Sequence, residues 1–181
     1  EWQRYPKAGA PNSIVRLGVV GLAKDGTPGP ERLVSFTPDD VYVLPQLGWT
    51  ADSRQVAFQH LNRAQDELEL RLLPVPSTPR DPLGTPRTVL TERSKTWLNT
   101  FGAPRFLKDG RRFLWLSERD GFAHVYLCDV AGGCRPVTQG PWMVDGRVSF
   151  TGSGPGYVLD ERSGFLYFTA TEKDPRERHL Y

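Results

Sequence analysis

The sequence predicts an all-β chain assembled from repeated antiparallel meanders, and three observations carry that prediction. First, runs rich in aromatic and β-branched residues (residues 112–116, 122–128 and a short third run through Val137) alternate with Asp109-Gly110, Asp120-Gly121 and Gly132-Gly133 turns. Second, the order of turn and strand recurs. Residues 49–58, 106–115 and 160–168 read alike, with Asp52 and Asp109 57 residues apart and Asp120 and Asp174 54 apart. A unit of that length with four strands predicts a β-propeller blade lengthened by loop insertions. Third, 16 Pro and 18 Gly among 181 residues fit turn-rich β structure, with neither the period of collagen nor low complexity.

Taken in order, residues 5–12 form a loop of turn residues, and residues 14–22 a strand with Val15, Leu17 and Val19 on one face. Residues 25–30 turn the chain into an edge-like strand over 31–36. An inner strand follows from Tyr42 to Trp49, where Pro45 demands a bulge or kink because it cannot donate to a ladder. Residues 55–61 and 67–73 make the middle pair. In the second of these, Leu68, Leu70 and Leu72 alternate with Glu67, Glu69 and Arg71, the pattern of a half-buried strand. A proline-rich connection over 74–86 leads to an outer strand at 87–90. The next unit runs from about Asn99 to Thr138, and residues 144–150, 156–159, 165–170 and a run near Arg178 supply the last.

The expected organisation is therefore one propeller domain cut mid-blade at both ends. Residues 1–38 are outer strands of a preceding blade, 39–92 and 93–142 are blades, and 143–181 is a partial blade. This gives roughly three four-stranded antiparallel blades of a larger propeller.

Composition narrows the function classes. A formal charge of +2, with no basic run, argues against nucleic acid as a partner. No apolar run approaches the ~20 residues of a membrane-spanning helix. His60, His124 and His179 are widely spaced and have no carboxylates at ligand spacing, so no metal and no cofactor is expected. The string Gly152-Ser153-Gly154-Pro155-Gly156 departs from the G-x-S-x-G elbow of α/β-hydrolases and reads as a glycine-rich inter-blade loop. No residue of this chain is expected to be catalytic.

Five strings, in order along nearly the whole chain, carry a family resemblance: Tyr5-Pro6-Lys7-Ala8-Gly9-Ala10-Pro11-Asn12, Leu61-Asn62-Arg63-Ala64-Gln65, Ser117-Glu118-Arg119-Asp120-Gly121-Phe122, Thr138-Gln139-Gly140-Pro141-Trp142-Met143-Val144 and Phe168-Thr169-Ala170-Thr171-Glu172. The chain resembles the propeller of dipeptidyl peptidase IV-like serine peptidases, and its Ser117–Gly121 string looks closer to bacterial members. The resemblance implies the middle to later part of an eight-bladed propeller. It also implies a C-terminal α/β-hydrolase domain of the parent chain as partner, a peptide substrate from which N-terminal X-Pro dipeptides are released, a homodimeric parent and a periplasmic or secreted location. The family's paired glutamates and its catalytic Ser, Asp and His are expected outside residues 1–181. A non-catalytic periplasmic propeller that binds peptides or proteins is the competing class. A glycosidase propeller lacks the close carboxylate pair it needs.

Phe101 falls where the family places an aromatic residue on the propeller rim, facing the substrate pocket; packing between blades is the other reading of the same residue. Arg63 is expected to be structural, a turn-bridging guanidinium on backbone carbonyls. Glu118, Arg119 and Asp120 read as a solvated turn with local ion pairs. Cys128 and Cys134 flank a tight turn, where opposed strand positions can bring Cα atoms to ~5.5 Å, so a disulfide and a pair of free thiols both stand.

Overall fold

The computed structural model describes residue 9 and residues 14–34, 41–78, 81–146 and 156–181. Among these, every regular element is a strand: β1 Leu17–Leu22, β2 Pro28–Val34, β3 Val41–Trp49, β4 Gln55–Asn62, β5 Glu67–Pro74, β6 Arg87–Arg93, β7 Arg105–Phe106, β8 Arg112–Ser117, β9 His124–Asp129, β10 Cys134–Pro136, β11 Tyr157–Asp160, β12 Phe165–Ala170 and β13 His179–Leu180. They form four antiparallel meanders, ordered β1-β2, β3-β4-β5-β6, β7-β8-β9-β10 and β11-β12-β13.

The meanders stack face to face, because alternation along the central strands gives each of them two apolar faces. On β4, Val56 and Phe58 join Leu17, Val19, Val34 and Leu73 in a core against β1–β2. The opposite face of β4, with Ala57 and Leu61, joins Leu68, Leu70 and Leu72 of β5 and Phe106, Phe113, Trp115 and Tyr126 of the next sheet. On β8 the pattern repeats: Leu114 and Leu116 turn the other way and pack with Val125, Val144 and Tyr157. Phe58, Phe113, Leu70 and Leu72 are fully buried, and each contributes about 1.5–3 kcal/mol by leaving water.

The repeated turns share one device. Asp52 Oδ1 accepts from the Arg54 N–H, Asp109 Oδ1 from those of Arg111 and Arg112, and Asp160 Oδ1 from that of Arg162. A short carboxylate reaching its own backbone two residues on closes the turn without help from the sheet.

Several expected boundaries move. β1 begins at Leu17, opposite Val34, so Ile14 lies outside the ladder. β2 starts at Pro28, three residues before the expected strand; as an edge strand it tolerates the missing N–H of Pro28 and Pro30. The ladder between β3 and β4 shifts register between Leu44 and Gly48, around Pro45. β6 continues past Leu90 to Arg93, which brings Glu92 into the sheet. The unit expected from about Asn99 opens on a loop, and its first strand is the two residues of β7. Residues 94–104 are a loop in which Gly102 takes a left-handed φ of 103°. Val144 makes an isolated bridge to Ala170. The expected strand beyond residue 146 and most of the Gly152–Gly156 string lie outside the described residues.

Candidate functional site

The loop over residues 94–104 links sheet β3–β6 to sheet β7–β10 and runs along the end of the stack that also carries the β4–β5 and β8–β9 turns. Its path is fixed by hydrogen bonds to those elements. Ser94 N–H donates to the Asp66 carbonyl and Leu98 N–H to the Gln65 carbonyl. Asn99 Nδ2 donates to Glu118 Oε2 at 2.7 Å, and the Gly102 carbonyl accepts from Gln59 Nε2 at 2.7 Å.

Two cavities flank this loop. One, of about 420 Å³, is walled by Gln59, Glu92, Trp97, Phe101, Trp115 and Glu118 among others. The second, of about 550 Å³, is walled by Leu44, Gln46, Trp97, Phe101, Met143 and Arg178 among others. Phe101 stands between them, half-buried, with its ring against the β8 cluster. Gly146 makes room for that ring: a Cβ built on Gly146 would lie 2.4 Å from Phe101 Cδ1 and 2.4 Å from Leu116 Cδ2. Trp97, at 56% exposure, is the more open aromatic of the loop. The rim thus offers apolar ring faces beside carboxylates and amides.

Behind the first cavity is a polar cluster. Glu92 is buried on β6, and its Oε1 accepts from Trp115 Nε1 at 2.9 Å and from Arg119 Nη2 at 2.5 Å. The Arg119 guanidinium lies 4.6 Å from the centroid of the Tyr126 ring, and the Tyr126 hydroxyl donates to Asp120 Oδ2. Burial first, and then the bond to Asp120, push the Tyr126 hydroxyl well above the usual phenol range. Arg119 and Asp120 are exposed as expected, but their pairing is not local. Arg119 and Asp120 close a network reaching 27 residues back in the chain, because β6 runs on to present Glu92.

The structure places Arg63 in the β4–β5 turn with its side chain exposed, and among the described residues it bridges nothing. The neighbouring Asn62 does that work. Its Oδ1 accepts from the Asp66 and Glu67 N–H groups, and its Nδ2 donates to Asp66. A short amide beside the turn reaches these backbone groups directly. His124 is buried, with Nδ1 beside Thr138 Oγ1 and Nε2 beside the Gly140 carbonyl, each at 3.0 Å. His60 lies 3.4 Å from Glu69, and His179 lies 2.8 Å from Glu177. Cys128 and Cys134 are directly opposed in the β9–β10 ladder, with Cα atoms 4.0 Å apart, and are joined as a disulfide. Gln59, Glu92, Trp97 and Asn99 were not singled out by sequence. Gln59 alone left a signal, a polar residue at an inward position between Ala57 and Leu61.

Stacked four-stranded meanders whose loops gather into an aromatic rim define a segment of a β-propeller. The family model for the dipeptidyl peptidase IV (DPP IV) N-terminal region matches residues 1–181. The chain belongs to that family. It is similar to dipeptidyl peptidase 4 of Arthroderma otae, 28% identical over 186 residues, which cover 98% of this chain and 22% of that protein. Against dipeptidyl peptidase 4 of Trichophyton equinum the identity is 26% over 187 residues, with the same coverage. The crystal structure of Porphyromonas gingivalis dipeptidyl peptidase 4 superposes with a TM-score of 0.74 at 28% identity, over 98% of this chain and 23% of that one. The chain therefore spans about a fifth of the length of these relatives.

Proposed function

We propose that this segment shapes and gates the pocket through which a dipeptidyl peptidase IV-like serine peptidase receives the N-terminus of its substrate. A C-terminal α/β-hydrolase domain of the parent chain then releases X-Pro dipeptides by acyl transfer through its own triad. The observation that carries this reading is the rim loop: Phe101, held between two cavities and beside the exposed Trp97, presents apolar area that a substrate side chain can cover. The Cys128–Cys134 disulfide supports a periplasmic or secreted location, where such a bond persists.

The test is hydrolysis of a Gly-Pro chromogenic dipeptide by the full-length parent, with residues 1–181 alone as control. Cleavage by the parent and none by the segment is expected. A folded parent that binds peptides without cleaving them would instead make this a binding propeller.

A further inference from the structure

Gln59 is an anomaly in the core. Its neighbours on the same face of β4 are Ala57 and Leu61, and its ladder partners are Leu44 and Leu70. The side chain is fully buried, and its Oε1 has no hydrogen-bond partner among the described residues. A buried unpaired acceptor destabilises a fold, and an apolar residue of equal volume would avoid that. What the amide provides is the bond from Nε2 to the Gly102 carbonyl, 43 residues on in sequence.

That bond sits at a decisive point of the rim. Gly102 follows Phe101 directly, and its φ of 103° sets the direction in which the chain leaves the ring. On the other side of Phe101, the Asn99–Glu118 bond is exposed and so competes with water. The Gln59 bond is shielded, which makes it the firmer of the two anchors. We infer that Gln59 is a positioning residue: it fixes the Gly102 carbonyl and thereby holds the Phe101 ring in place for a peptide substrate. This rests on the pocket reading proposed above, and Gln59 itself touches no substrate.

The experiment uses the full-length parent with Gln59→Met, which keeps the volume and removes the bond, alone and combined with Phe101→Ala. Gln59→Leu removes the same bond with a second apolar side chain. With a Gly-Pro chromogenic dipeptide, Gln59→Met should raise KM about 3–10-fold and leave kcat within twofold. Added to Phe101→Ala, it should raise KM no further, because it acts through that ring. Amide exchange over residues 97–104 should quicken in Gln59→Met while exchange in β4 and β8 stays slow. An equal KM increase with and without Phe101 would overturn the inference, as would unchanged exchange in the loop. Should Gln59→Met not fold, Gln59→Leu must give the same KM and exchange pattern or the inference fails. If wild type does not cleave the dipeptide, the pocket reading falls, while the exchange result still decides whether Gln59 holds the loop.

Discussion

The guanidinium of Arg119 lies 2.5 Å from the buried carboxylate of Glu92 and joins the β8–β9 turn to the last strand of the preceding sheet. Trp115 Nε1 donates to the same oxygen, so one acceptor serves two donors at the boundary between two sheets. Truncating Glu92 leaves the Trp115 N–H without its acceptor and takes the ion-pair partner from Arg119, which keeps its bond to Ser117 Oγ. Glu92→Ala should therefore cost ~2–4 kcal/mol, whereas Glu92→Gln, which keeps an acceptor for Trp115, should cost about 1 kcal/mol. Urea unfolding midpoints at constant slope report both; equal losses would mean that packing, and not the shared oxygen, is what matters here.

Ser53 and Gly110 occupy the same place in successive turns, with φ of 56° and 69°. Only glycine adopts that conformation without strain. Ser53→Gly should stabilise the chain by ~0.5–1 kcal/mol and Gly110→Ala should destabilise it by about 1 kcal/mol. Melting temperatures moving in opposite directions confirm the equivalence of the two turns, and a loss from Ser53→Gly contradicts it.

The turn carboxylates also set the acid limit. Burial acts to raise the Asp109 pKa, but it is outweighed by the N–H groups of Arg112 and Arg111 and by the Arg112 guanidinium, which hold it down to about 2. Asp52 is lowered by its bonds to Thr50 and Arg54, and Asp160 by those to Ser163 and Arg162. A folded pKa below the unfolded value, near 3.9 for Asp, gives stability that is fully present above that pH. It is lost as pH falls toward 2. Unfolding free energy should decline from about pH 4 downward, and Asp109→Asn should flatten the decline. Parallel curves for variant and wild type would show that Asp109 is not a source of it.

The last sheet buries Leu166 and Phe168 against β8 and turns Val158, Phe165, Tyr167 and Leu180 outward. Val158 pairs with Tyr167 in the ladder, and Leu180 with Thr169, so these four side chains share one face. An exposed apolar sheet face seeks cover. Residues 1–181 in isolation should self-associate with rising concentration, and Phe165→Lys with Tyr167→Glu should suppress this. Sedimentation velocity giving a concentration-independent monomer for the unmodified segment counts against it.

The fold was legible in sequence because it is written locally: alternating strands, Asp-Gly turns and a recurring order need no distant information. The Asp52 and Asp109 turns could be superposed by eye, and Pro45 marked its own irregularity. The Thr138–Val144 string is held by structural contacts. Thr138 Oγ1 accepts from Val125 N–H and sits beside His124, while Trp142 stacks on Phe168 at 6.0 Å. The site was less legible because its parts meet only after the sheets stack. Nothing near Glu92 in sequence announces Arg119, and nothing near Gln59 announces Gly102. At the β4–β5 turn the sequence offers both Asn62 and Arg63, and only the short amide of Asn62 has the reach to bridge its own backbone.

The most direct test of the rim's role is KM for a Gly-Pro chromogenic dipeptide in the full-length parent, wild type against Phe101→Ala. KM is expected to rise about 5–30-fold, the loss of ~1–2 kcal/mol of apolar contact, with kcat nearly unchanged and a lowered melting temperature that still leaves the variant folded at assay temperature. An unchanged KM in a folded variant would contradict it and return Phe101 to packing between sheets.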